Sequence, residues 1–199
     1  SFGGGDLDGV IIKLDNSLQN IIWSSYFGGE KHDAGYSLAI DSNDDIYITG
    51  GTNSDSLVTT PGVIDTNALG GRSDGFVAHI EAGGEQIISS TYYGSPTYDQ
   101  SYFVEFDNSN NVYLLGQTEI QDSTFIHNAL FFNYGSGQFV SKITPELDSL
   151  IYSTVFGNGN GISLSPTAFL VDLCNKMYLS GWGGGTNNFN TCNNTSFTT

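Results

Sequence analysis

The chain has 199 residues, enough for one domain or for part of a larger one, and 38% of them are hydrophobic, which is enough to build a core. Lys and Arg total 5 against 21 Asp and Glu, giving a net charge of −16. A surface of this sign repels phosphate backbones and anionic membrane faces, so we expect no nucleic-acid partner. We also expect no membrane insertion, because no run approaches about 18 apolar residues.

Two sequence patterns recur along the chain with one period. The first reads DGVIIKL, DGFVAHI and GQFVSKI and begins at Asp8, Asp74 and Gly137, so its copies are 74 − 8 = 66 and 137 − 74 = 63 residues apart. The second reads LAIDSNDDIYITGGT, VEFDNSNNVYLLGQT and FLVDLCNKMYLSGWG, with offsets of 66 and 65 residues. Its aligned acidic residues are Asp41, Asp107 and Asp172. Two interleaved patterns with one period indicate a tandem repeat.

Each repeat contains the signals of four short strands. In the middle repeat, residues 37–41 and 46–49 are apolar runs separated by a Ser-Asn-Asp-Asp turn, which is typical of a hairpin. A polar loop at 52–73 follows, and residues 76–80 and 86–93 then form a second hairpin around Gly83-Gly84. No segment has a useful amphipathic helical period, so we expect little helix.

Four antiparallel strands in a repeated unit of about 65 residues predict an all-β fold made of β-propeller blades. We divide the chain into an outer strand pair at 8–29, a blade at 33–95, a blade at 98–158, an inner strand pair at 162–182 and a Gly- and Asn-rich tail at 183–199. Two full blades plus two half blades are a partial propeller, since closed propellers typically have about four to eight blades. We therefore expect a larger polypeptide, or other copies of the chain, to complete the ring.

The phrases YSLAIDSNDDIYITGGT, DGFVAHI and SSTYYGS resemble the SBBP repeat, a β-propeller repeat of large bacterial surface proteins. The resemblance extends over most of the chain in three copies. The third copy departs from the pattern, because Cys174 stands in its turn and LSGWGG at 179–184 replaces the usual ending. The resemblance implies an exported protein, extracellular or at the cell surface, of the kind frequent in the Bacteroidota.

The turn of the middle repeat is the one candidate metal site. Asp41, Asn43 and Asp45 have the alternating oxygen donors of a calcium loop. The donors fade in later copies, where Lys176 would repel a cation. An Asx turn that closes the hairpin explains the same residues, and we favour it over calcium.

We expect no catalytic residue, no cofactor other than that calcium and no enzyme activity. The Gly clusters have neither the Lys of a P-loop nor a following helix. The three histidines, at positions 32, 79 and 127, share no metal-ligand spacing, and we predict that His79 is an ordinary strand residue. No nucleophile elbow is present.

Two kinds of covalent modification are predicted. Cys174 and Cys192 allow one disulfide in an oxidising compartment, with free thiols as the alternative. Asp-Ser followed by Leu or Thr resembles the O-glycosylation signal of exported Bacteroidota proteins, which makes Ser56, Ser123 and Ser149 candidates. The alternative is coincidence in a chain rich in Ser and Asp.

We expect a structural or adhesive protein, whose partners are proteins or glycans at the cell surface or other copies of itself. A second hypothesis is a carbohydrate-binding propeller that uses Trp182, Tyr92, Tyr93 and Tyr134. A third is a polysaccharide-active enzyme, which would require a central cluster of carboxylates or His with perturbed pKa values.

Overall fold

The computed structural model describes residues 3–183, and these form twelve β-strands and no helix. Within this part of the chain, nothing has the length and helical form needed to cross a membrane. The strands are β1 (Gly9–Leu14), β2 (Ile21–Phe27), β3 (Asp33–Ile40), β4 (Ile46–Thr52), β5 (Asp74–Ile80), β6 (Ile87–Tyr93), β7 (Asp99–Phe106), β8 (Val112–Thr118), β9 (Gln138–Ile143), β10 (Leu150–Phe156), β11 (Leu164–Val171) and β12 (Met177–Gly183).

The strands form two four-stranded sheets, in the orders β3-β4-β5-β6 and β7-β8-β9-β10, and two two-stranded sheets, β1-β2 and β11-β12. Every pairing between named strands is antiparallel. The predicted all-β class with antiparallel propeller blades is therefore confirmed. Here β1-β2 corresponds to the third and fourth strands of a blade, and β11-β12 to the first and second.

The first strand of the middle blade is longer than predicted. We expected it to begin at residue 37, but β3 begins at Asp33, which pairs with Thr52 of β4. A bulge at Tyr36 shifts the pairing between Gly35 and Ser37, so the period-two pattern that marks a strand is broken at this point. The residues before the bulge therefore do not continue the alternation that predicted the strand from residue 37.

The same bulge recurs in the first strand of each sheet that has one, at Tyr36, Tyr102 and Thr167. The rings of Tyr36 and Tyr102 stack with centroids 5.2 Å apart. The first strands of successive sheets therefore lie side by side, as strands near a shared axis do.

The hairpin turns require a left-handed backbone, which the sequence provides. Asp44, Asn110 and Asn175 occupy the same turn position and have φ of 65°, 59° and 61°. Asp and Asn tolerate this conformation better than most residues with a side chain. The turn prediction from the Asp- and Asn-rich clusters is thus explained residue by residue.

Hydrophobic seams hold neighbouring sheets face to face. Phe76 of β5 is fully buried and stacks on Phe27 of β2, with centroids 5.0 Å apart. In the next seam, Phe125 from the loop after β8 stacks on Phe139 of β9 at 4.3 Å, and Tyr93 of β6 packs against both rings. Packing in these seams fixes how neighbouring sheets lie against each other, and the site described next lies between two of these sheets.

Replacing Phe76 with Ala should destabilise the chain by about 3–5 kcal/mol, because Phe76 is fully buried and its truncation leaves a cavity in the seam. Urea unfolding followed by tryptophan fluorescence measures the change. Leu130→Ala is the control, since Leu130 is fully exposed and its truncation should change the free energy of unfolding by less than about 0.5 kcal/mol. Equal effects of the two substitutions would contradict this packing.

Candidate functional site

The candidate site lies in a cleft of about 540 Å³ between the sheets β3–β6 and β7–β10. The described residues that line it include three carboxylates and no Lys or Arg. Those carboxylates are Asp41, Glu146 and Asp148. The cleft is therefore an acidic space at the junction of two blades.

The turn after β3 fixes the first carboxylate. Asp41 is nearly buried, and its Oδ1 accepts hydrogen bonds from the backbone N–H of Asn43 at 2.8 Å and of Asp45 at 3.0 Å. The side-chain amide of Asn43 donates to Asp41 Oδ2 at 3.3 Å. These bonds form the Asx turn expected from the sequence.

Two further side chains lie close to Asp41, and one of them, His79, also lines the cleft. One potential ligand atom each from Asp41, Asp45 and His79 lie within 4.8 Å of one another. Asp45 Oδ2 lies 3.4 Å from His79 Nε2, and Asp45 Oδ1 accepts a hydrogen bond from the N–H of Ala82 at 2.9 Å. The hairpin β3-β4 thus supplies the carboxylates and β5 supplies the imidazole.

The surroundings keep the imidazole oriented and neutral. Its ring stacks on Tyr47, with centroids 4.0 Å apart. Burial lowers the pKa of His79, and the hydrogen bond to Asp45 opposes this only in part. Burial, together with the negative charges of Asp41 and Glu146, raises the pKa of Tyr47. The cluster therefore offers an imidazole nitrogen and the oxygens of two acidic side chains, a donor set suited to a divalent cation.

The next blade has the same turn with a different partner. Asp107 accepts the corresponding backbone hydrogen bonds, and Lys142 occupies the position of His79 in the sheet. Lys142 Nζ lies 2.6 Å from Asp107 Oδ2. Burial opposes the charge of Lys142, but the interactions with Asp107 and Tyr113 together outweigh it, so the pKa of Lys142 is raised. In this blade, a lysine ammonium group thus lies beside the Asp of the turn.

Two of the three residues predicted to bind calcium belong to this cluster. Asp41 and Asp45 converge, whereas the Asn43 amide is bonded to Asp41, and His79 takes part instead. Sequence reasoning missed His79 because it treated the residue as an ordinary strand position. The repeat alignment could have found it, because the positions of Lys13, His79 and Lys142 coincide and only the middle copy has a metal-ligating residue there.

A second carboxylate cluster, which we did not predict, lies at the seam between β5 and β7. Asp74 and Asp99 both border the backbone of Gly94, where a Cβ would meet Asp74 Oδ1 at 3.0 Å and Asp99 Oδ2 at 3.1 Å. Burial, with the charge of Asp99 adding to it, raises the pKa of Asp74 to about 6. At the following seam the uncharged amide of Gln138 takes this place against Gly157.

The remaining predicted residues are dispersed over the surface. Ser56, Ser123 and Ser149 are all exposed, so a glycan has access to each, and their modification stays a prediction. Cys174 is exposed in the turn after β11. Cys192 lies outside the described residues, so the disulfide also stays a prediction.

The aromatic residues of the carbohydrate hypothesis do not form one surface. Tyr92 and Tyr93 are buried in the hydrophobic seams and present no ring face to a sugar. Trp182 and Tyr134 are exposed, Trp182 on β12 and Tyr134 in the loop before β9.

Comparison with protein families identifies the repeat. Residues 22–57 match the family model of SBBP, described as a beta-propeller repeat. The chain carries an SBBP repeat. The match runs from β2 across the seam into the first two strands of the next sheet, so the SBBP unit spans two blades. No curated protein matches the chain.

Replacing Asp74 with Asn should change how stability depends on pH. The pKa of Asp74 is higher in the folded chain than its usual value of 3.8, so the folded state binds this proton more tightly. Its contribution is fully present below about pH 4 and is lost as the pH rises to about 6. Asn removes that loss, which is at most about 3 kcal/mol, and should raise Tm at pH 7.5 by several degrees.

Thermal melts between pH 4 and 8 measure this effect. Glu85→Gln is the control, because it removes one negative charge from an exposed side chain and should leave the pH profile unchanged. A parallel pH profile for wild type and Asp74→Asn would mean that Asp74 titrates normally.

Proposed function

We propose that this chain is a non-enzymatic structural or adhesive β-propeller segment, extracellular or at the cell surface, that functions within a larger polypeptide or assembly. The SBBP repeat and the acidic, Lys-poor composition support this proposal. The observation that carries it is the unpaired edge at each end of the described fold.

The first open edge belongs to β12. All seven residues of β12 are exposed, whereas every residue of its counterparts β4 and β8 is buried. Leu179 is 42% exposed, while Ile48 and Leu114 at the same position are 2% and 0% exposed. Exposed apolar strand edges recruit further strands. A strand pair of the same repeat would bury this surface.

The second open edge, on β1, is the complement of the first. In the complete blades the second strand pairs with the third, with Tyr47 opposite His79 and Tyr113 opposite Lys142. The same register would place Tyr178 of β12 opposite Lys13 of β1. The chain therefore contains both halves of one blade, at opposite ends of the described fold.

Joining β12 of one chain to β1 of another makes a full blade from two halves. Each chain then contributes three blade equivalents, so two chains give six blades, within the range of about four to eight found in closed propellers. Such a rigid disc presents the loops after β4 and β8 to a partner. The same edges would pair with further repeats of a longer polypeptide.

We expect the chain to associate as its concentration rises. Light scattering after size exclusion should then detect species with masses above 21.3 kDa. Leu179→Lys should weaken association at least about tenfold, because it would bury a charge in the new seam. Leu173→Lys is the matched control, since Leu173 lies in the turn beside β12 and is 83% exposed.

A monomer at all concentrations would exclude pairing of the edges between copies and leave their completion to a longer polypeptide. Two other outcomes would decide against the proposal. A specific glycan-array signal would favour the carbohydrate-binding hypothesis, and turnover of a polysaccharide would favour the enzyme. Circular dichroism of both variants confirms that any loss of association is not a loss of folding.

A further inference from the structure

Beside the Asp turn, the first complete blade has smaller side chains than the second at two equivalent positions. Ser89 of β6 lies opposite His79 in the sheet, and Tyr152 of β10 occupies the same position opposite Lys142. In the second blade, Lys142 Nζ lies 2.6 Å from Asp107 Oδ2, and the Tyr152 ring packs against Tyr113 with centroids 6.2 Å apart. In the first blade, the smaller Ser89 and the shorter His79 line the cleft instead.

Asp41 lines the cleft, and Asp45 lies close to it and to His79. Asp41 and Asp45 each have Oδ1 held by backbone N–H groups, which fixes the carboxylates and leaves Oδ2 to a ligand. Among the described residues, Asp41 Oδ2 has only the long contact with Asn43 at 3.3 Å, and Asp45 Oδ2 has only the contact with His79 at 3.4 Å. An ion about 2.0–2.2 Å from both Asp45 Oδ2 and His79 Nε2 fits that separation.

Ser89 provides an independent indication of a bound ligand. Its side chain is 6% exposed, it lines the same cleft, and its Oγ has no hydrogen-bond partner among the described residues. Buried hydroxyl groups are nearly always hydrogen-bonded. A water molecule coordinated by a metal ion beside His79 would satisfy this hydroxyl.

The electrostatics of the two blades agree with a cation at this position. In the second blade, the Lys142 ammonium compensates Asp107 at 2.6 Å, and Asn111 stands where the first blade has Asp45. The first blade has one more carboxylate and lacks the ammonium. Among the described residues, no Lys or Arg forms an ion pair with Asp41 or Asp45, and none lines the adjoining cleft.

We propose that Asp41, Asp45 and His79 bind a divalent metal ion of the zinc class between the two blades, with the Ser89 hydroxyl contacting its bound water. The imidazole ligand favours zinc over calcium, which takes oxygen ligands. Three protein ligands leave at least one position of the ion for water or for a ligand that enters the cleft. The site is independent of the edges on which the proposed function rests.

Isothermal titration of zinc chloride into the metal-free full chain tests this site. Cys174→Ser and Cys192→Ser form the background, because free thiolates compete for zinc. We expect one zinc ion per chain and a higher Tm with zinc than without it. The double variant Asp45→Asn/His79→Lys reproduces the second blade and should bind zinc at least about tenfold more weakly, since loss of even an outer-shell partner costs that much.

The controls separate loss of the site from loss of folding. His127→Lys makes the same substitution at an exposed histidine outside the cleft and should leave the zinc affinity unchanged. His79→Gln retains a hydrogen-bond donor toward Asp45 but removes the ligand nitrogen, and it replaces the double variant if that one does not fold. Zinc affinity equal to that of the parent in the double variant or in His79→Gln, or no binding by the parent, would overturn the proposal. Calcium binding without zinc binding would also overturn it, in favour of the Asp41, Asn43 and Asp45 loop.

Discussion

A propeller blade depends on having another sheet against its faces. The second strand of each complete blade is buried along its whole length, in β4 and in β8, and the corresponding β12 is exposed along its whole length. The strand sequences are closely similar, so the difference comes from the neighbours. The hydrophobic seams that supply this burial, including Phe27 on Phe76 and Phe125 on Phe139, set the position of every loop and turn.

The repeated turn shows how one scaffold can carry different chemistry. In all three copies an Asp Oδ1 accepts the backbone N–H groups two and four residues later. What the carboxylate faces then depends on one strand position, which holds His79 in one blade and Lys142 in the next. The turn is structural in each copy, and the partner decides whether the position is a closed ion pair or an open donor set.

Some of the acidic residues are buried where neighbouring sheets pack together, and not in a turn. Asp74 and Asp99 both border Gly94, where a Cβ would meet Asp74 Oδ1 at 3.0 Å and Asp99 Oδ2 at 3.1 Å. Burial raises the pKa of Asp74 and so favours its protonated form. At the following seam Gln138 has an uncharged amide in this place, which does not titrate. The net charge of −16 is therefore not only a property of the surface, because part of the acidity sits at contacts between blades.

The sequence by itself determined the repeat, the all-β class, the antiparallel hairpins and the Asp turns. These follow from local patterns, namely the period of about 65 residues, the apolar runs and the residues that tolerate positive φ. It did not predict the early start of β3, because the bulge at Tyr36 breaks the alternation on which strand prediction depends. Only the tertiary structure brought His79 to Asp41 and Asp45 and Asp74 to Asp99, since strand pairing and seam packing join residues 25 to 38 positions apart. Burial and proximity across strands are properties of the packed chain, and no local pattern encodes them.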